Sequence, residues 1–273
     1  MARGREDCET SGYAAFVCSF FCSSLQDLEF MDFGPMGHLD ILDSHRIPAM
    51  AKRPMSTLKF VYVADDPNAA WTVPRNKGRE GMVYLTYIVD NYDELADIVI
   101  FSHANRYQWH NDDPLYDGQR VLKRLRLSHI LEQGYANLRC VWTLGCPDEI
   151  RPHIEAEAAS PASDPRSSEA RAGSFYRSAF EELFPGVEVP DVVGAACCAQ
   201  FAVTAERIRQ RPKSDFERYR TWLLQTELND DLAGRIIEYS WHNFPSDWPL
   251  IDRDGQWRNM SEIDAEYDLK YPA

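Results

Sequence analysis

The chain has 273 residues, of which 44% are apolar, 12% aromatic and 26% charged, the balance of an ordinary soluble globule large enough for one α/β domain or two small ones. A net charge of −14 and a pI near 4.9 argue against broad nonspecific nucleic-acid binding, which needs a basic surface, but leave room for a local basic patch. No apolar run reaches the roughly 20 residues of a membrane helix, so no membrane partner is expected.

In chain order, residues 1–56 are interrupted by Met, Pro and Gly and read as an irregular N-terminal extension. Within them YAAFVCSFFC (13–22) faintly resembles a secretory apolar core. Glu6, Asp7 and Glu9 stand where such a signal wants positive charge, and no small-residue cleavage site follows. The seven cysteines (Cys8, Cys18, Cys22, Cys140, Cys146, Cys197, Cys198) are odd in number and form no C-x-x-C pair, which excludes zinc ribbons and thioredoxin-like motifs and points to a reduced, cytoplasmic protein.

Residues 57–250 read as the folded unit. A strand is expected at Leu58–Val63, then a helix over 80–94 on the spacing of Tyr84, Leu85, Ile88 and Tyr92. A strand at 97–102 carries the continuous run Ile98, Val99, Ile100, Phe101. Asp117 caps a basic helix over 118–132 that Gly134 stops. A third strand is expected at Leu138–Trp142, and the Ala-, Ser- and Pro-rich stretch 155–173 reads as a mobile insertion. A helix over 174–183, a strand at Ala199–Thr204 and helices over 204–210, 214–227 and 230–243 follow, before a patternless C-terminal tail, 251–273. Alternating strands and helices predict a single α/β domain with a mainly parallel, Rossmann-like sheet flanked by helices.

NKGREGMVYLTYIVDNYDELADIVIFSHANRYQWHNDD (76–113) is the densest chemistry in the chain. Its strand ends in two His, an Arg and a Trp within eight residues, which is how an α/β enzyme presents reactive groups at a strand's carboxyl end. His103 and His110 can move protons near neutral pH, and Arg106 can hold an anion or a developing oxyanion. The competing reading is a structural loop whose histidines cap backbone groups. Convergence of His103, His110 and Asp113 on zinc fits no standard spacing, so no metal is expected. Arg79 and Glu80 open the first helix. Glu80 suits a helix N-terminus by the dipole alone, or serves as an acid, a base or an ammonium-binding group. Cys197 and Cys198 read as core residues or as nucleophiles, and Gln200 as an amide holding substrate. On the last helix Glu238 shares a face with Trp241 and with His242. Two basic segments, Arg120, Lys123, Arg124 and Arg207, Arg209, Arg211, are solvated helix faces or a phosphate-tracking patch. Asp252-Arg253-Asp254 matches a weak D-x-D pattern, and the chain has no P-loop, G-x-G-x-x-G or G-x-S-x-G.

The 76–113 block, YANLRCVWTLGCP (135–147), CCAQFAVTAERIRQRP (197–212) and YRTWLLQTELNDDLAGRIIEYSWHNF (219–244) resemble a fungal family long catalogued as a domain of unknown function. Its members look like the arginine-containing cyclodipeptide synthases of secondary metabolism. The resemblance spans roughly residues 58–245. It implies an enzyme that joins arginine and a second amino acid, both taken from aminoacyl-tRNAs, into a cyclic dipeptide with no cofactor. The chemistry then asks for a base near the attacking amine (His103, His110 or Glu80). It asks for an oxyanion partner (Arg79, Arg106 or backbone N–H groups) and for a guanidinium pocket built from Asp112, Asp113, Glu80 or Glu238 with Trp109 or Trp241 stacked on it. A covalent intermediate would use Ser102, Cys197 or Cys198. The basic segments would meet tRNA. Two other classes remain open: a nucleotide-sugar-dependent glycosyltransferase-like enzyme, on the loose likeness of AQFAVTAERI (199–208), and a non-catalytic binding module of a biosynthetic pathway.

Overall fold

The computed structural model describes residues 13–20, 56–139, 150–159, 164–167 and 170–241. Five strands form one sheet: β1 Tyr13–Phe20, β2 Ser56–Val63, β3 Ile98–His103, β4 Tyr135–Asn137 and β5 Phe201–Thr204, in the order β2-β1-β3-β5-β4. β1 pairs in parallel with β2 and with β3, whereas β5 runs antiparallel to both β3 and β4. The expected mainly parallel, Rossmann-like sheet is therefore wrong: this sheet is mixed, two pairings of each kind. The reason lies in β5, which enters from the Cys197–Gln200 turn rather than from a crossover helix. Its amino end consequently meets the carboxyl end of β3, with Phe101 opposite Phe201.

The alternation of β3 sorts the core. Val99 and Phe101 join Phe201, Val203 and Val17 in the larger apolar cluster, with helices α1 (Glu80–Asn91), α5 (Ala172–Leu183), α7 (Lys213–Gln225) and α8 (Asp230–Glu238). Ile98, Ile100 and Ala202 point to the other face, where α2 (Gly118–Lys123) and α3 (Leu127–Gln133) supply Val121, Leu122, Leu127 and Ile130. A strand buried on both faces must be apolar at every position, which is why β3 lacks polar alternation. Two short helices complete the chain order, α4 (Pro152–Ala158) and α6 (Ala205–Ile208).

Several boundaries move. The stretch read as an irregular extension contributes β1, seated between β2 and β3, so residues 13–20 of the apolar run that resembles a signal core are an interior strand. The basic helix breaks in two around Arg124–Arg126, although Asp117 caps its first part through Gln119 N–H as expected. The third strand lies at Tyr135–Asn137, ahead of the expected 138–142, and residues from 140 onward there lie outside the described ones. Helix α4 runs into the stretch read as an insertion. The last helix ends at Glu238. His242, and the C-terminal tail with the D-x-D match, lie outside the described residues. No helix among the described residues is long and apolar enough to cross a membrane.

Candidate active site

A cavity of about 690 Å³ opens where the carboxyl end of β3, the Cys197–Cys198 turn and the facing ends of α1 and α8 meet. Glycines make that meeting possible. A Cβ on Gly78 would lie 2.4 Å from the Leu223 side chain, and one on Gly234 would lie 2.8 Å from Arg79 Cγ and 3.3 Å from the Gly78 backbone. With hydrogen in those places, α8 lies against the start of α1, and Glu80 and Glu238 line the same cavity.

Glu80 is partly buried at the first turn of α1 and makes no ion pair among the described residues. Burial pushes its carboxyl group above the usual carboxylate range, and the nearby Glu238 pushes the same way against His103. Glu238 is engaged on both oxygens. Oε1 accepts the Cys198 N–H, and Oε2 lies 3.4 Å from Arg235 Nη1. His103 Nε2 donates to the Cys198 carbonyl at 2.9 Å, so proton exchange at this ring falls to Nδ1. The His103 and His110 rings stack 4.6 Å apart, 6° from parallel. Burial, and then the neighbouring His103, Arg139 and Arg235, lower the His110 pKa to about 4, so His110 is neutral at physiological pH.

Backbone strain gathers here. Among the described non-glycine residues with positive φ are Arg79 (55°), Cys198 (88°) and Ala199 (47°), all at or beside the cavity. Such conformations persist only where surroundings hold them, and they concentrate at working sites. Cys197 and Cys198 are joined to each other by a disulfide, which corrects the expectation of reduced thiols throughout and withdraws both sulfurs as nucleophiles in this state.

Residues 49–247 match a family described as a protein of unknown function, DUF3431. The chain belongs to that family. A family catalogued without a function is what the resemblance pointed to. No curated protein and no solved structure matches the chain.

Of the residues singled out in the sequence, this DUF3431 cavity brings together Arg79, Glu80, His103, Trp109, His110, Cys197, Cys198 and Glu238. Arg79 is held by Asp230 and Asp231 at the rim. The others go elsewhere. Arg106 forms a two-pronged pair with Asp117, Nε–Oδ1 2.9 Å and Nη2–Oδ2 2.8 Å, and does not line the cavity. Asp113 is buried within its own loop, accepting from Leu115 N–H at 2.9 Å, so neither a guanidinium pocket nor a zinc site with the histidines forms around it. Asp112 is on the same loop, outside the cavity lining. Gln200 is a buried tie. Its Oε1 accepts from Ser102 Oγ and His103 N–H, and its Nε2 donates to the His110 carbonyl and Asn111 Oδ1. Trp241 packs in the core against Tyr84 and Phe201. In the second basic segment Arg207 lies against Gly134, Arg209 Nε donates to the Tyr92 carbonyl, and Arg211 pairs with Asp215 at 3.5 Å. In the first, Arg120 and Arg124 sit 3.5 and 4.0 Å from Asp113, with Lys123 exposed beside them.

Sequence reasoning missed Arg235 and Arg139. Arg235 stands one turn before Glu238, an i,i+3 spacing that was legible. Buried Arg139 donates from Nη1 to the Trp109 carbonyl at 2.7 Å and to Cys198 Sγ at 3.2 Å, locking loop and turn together. No local pattern around it in the sequence announces that role.

Proposed function

We propose that this DUF3431 chain is a cytoplasmic aminoacyl transferase that joins arginine and a second amino acid, delivered as aminoacyl-tRNA esters, into a cyclic dipeptide. The observation that supports this reading is the convergence of Glu80, Glu238 and the stacked His103–His110 pair on one cavity. Aminoacyl esters are already activated, so the site has to supply only a base, an oxyanion partner and a cation pocket.

In each transfer the amine nitrogen of one residue bonds to the ester carbon of the other. The ester C–O bond breaks, and the ribose hydroxyl leaves with a proton that came from the amine. His103 Nδ1 or Glu80 takes that proton, the amine having an ordinary pKa of about 7.7–8.0. Arg235, on the cavity wall beside Glu238, replaces Arg106 as the cation for the developing oxyanion. Glu238 offers negative charge to a guanidinium, with Trp109 as a stacking face. Direct attack, without a covalent aminoacyl-enzyme, fits the joined cysteines and a Ser102 hydroxyl engaged with Gln200.

The test is to incubate the protein with amino acids, ATP, tRNA and the matching synthetases and to look for a diketopiperazine containing arginine by mass spectrometry. Product that survives RNase removes the tRNA step. No product, combined with thermal stabilisation by a UDP-sugar and manganese, overturns the reading in favour of sugar transfer.

A further inference from the structure

The loop between β3 and α2 presents an aromatic surface that the cavity chemistry leaves largely unused. Tyr107, Trp109 and Tyr116 are 63%, 51% and 54% exposed. The loop beneath them is tightly held. Gln108 N–H donates to the Tyr116 carbonyl at 3.2 Å and Gly118 N–H to the Arg106 carbonyl at 2.8 Å. Asn111 Nδ2 bonds both of those carbonyls, at 2.7 Å to Arg106 and 2.8 Å to Tyr116. The loop's two arms therefore lie side by side, with Tyr107 bridged to Asp117. Cations lie over two of the rings, with Arg106 Cζ 4.9 Å from the Tyr107 centroid and Arg139 Cζ 5.1 Å from that of Trp109. Rigid aromatic faces held out in water add little to the core, and grouped in this way they mark a binding surface.

Charge beside the rings identifies the occupant. Arg120 and Lys123 lie on α2 and Arg124 caps its end, and both guanidiniums lie against the buried Asp113. This cationic edge belongs to a chain of net charge −14. Flat rings flanked by cations are what an unpaired nucleic-acid strand needs: stacking for its bases, positive charge for its phosphates. We propose that this surface docks the single-stranded 3′ end of an RNA. The bases stack on Tyr107 and Tyr116, the α2 cations meet the backbone, and Trp109, which also lines the cavity, guides the terminal ribose to the cavity mouth. The proposal rests on the aminoacyl-tRNA reading and adds to it the means by which the ester reaches the site.

The test uses fluorescence anisotropy on the full chain with two uncharged RNA hairpins, one with an unpaired 3′ tail ending in CCA and one blunt. The tailed hairpin should bind more tightly. Tyr107→Ala/Tyr116→Ala should weaken tailed binding on the order of 10-fold and leave blunt binding unchanged. Lys123→Ala and Arg124→Ala should weaken both and lower the salt slope by about 1 per cation removed. Equal binding of the two hairpins, or unaltered tailed binding by the tyrosine variant, overturns the proposal. So does self-association of the chain in sedimentation that the tyrosine variant abolishes, since the face would then be a protein contact. Selective tail binding without cyclic dipeptide formation keeps the docking surface and removes the transferase reading. Cyclic dipeptide made at the wild-type rate by the tyrosine variant does the reverse.

Discussion

At Glu80, burial and Glu238 favour the protonated carboxyl group in the fold, while the unfolded chain releases that proton at an ordinary value near 4.3. The folded state therefore binds more protons over that interval, and stability falls as pH rises from the ordinary carboxyl value to the raised one. Glu80→Gln should raise the melting temperature at neutral pH, with the gain closing as pH drops below about 4. In the transfer assay the same variant should lose about 10²–10⁴-fold in rate where Glu80 is the base. His110 has the opposite sign. Its pKa is lowered to about 4 from 6.5, so the unfolded state binds more protons and stability is lost as pH falls through that window. His110→Phe keeps a ring against His103 and removes the titration; melting curves across the same window should flatten relative to wild type. The residues misassigned from sequence share one physical cause. A long loop without regular structure has many backbone groups to satisfy, and Asn111, Asp113 and Asp117 satisfy them, while Arg106 pairs with Asp117. Crowding of polar types in sequence does not separate groups that face a cavity from groups that hold their own loop.

Among the elements, the α1–α8 contact decides whether there is a site. Asn229 caps α8 through Leu232 N–H, and Gly78 N–H donates to Asp230 Oδ1 at 2.5 Å, which fixes the start of α8 to the turn before α1. Gly78→Ala puts a methyl group into Leu223 at a φ of +73° and should cost about 2–3 kcal/mol, from positive-φ strain plus overpacking. Chemical denaturation checks the value, and transfer activity should fall with it as Glu80 moves away from Glu238. Helix α1 and strand β3 were legible because their apolar periodicities are strong and local. Their junction with α8 was not, because it depends on Gly78 and Gly234, whose meaning appears only when the two backbones approach. The break in the basic helix was not legible, because Arg124–Arg126 carry no Gly or Pro signal.

Over the whole molecule, the strand that sequence reading set aside as irregular is the one that joins the sheet. The family match begins at residue 49, beyond β1, yet β1 pairs with both β2 and β3. A chain cut at that boundary loses the bridge between them, a loss that should exceed the total stability of about 5–15 kcal/mol typical of a domain. Circular dichroism should show no cooperative melt for the truncated chain and a sharp one for the full chain. The direction of β5 was illegible for a related reason: a short apolar strand reads the same both ways, and only its partners, Ile98 opposite Thr204 and Phe101 opposite Phe201, reveal it. The placement of β1 also sets a schedule. Ala14 pairs with Ile98, so on a ribosome adding ~5–20 residues per second the apolar strand waits roughly 4–17 s before its β3 partner is made. During that interval the edge of β1 that β3 later covers is unpaired, which leaves the nascent chain more open to pairing with another chain than the finished protein.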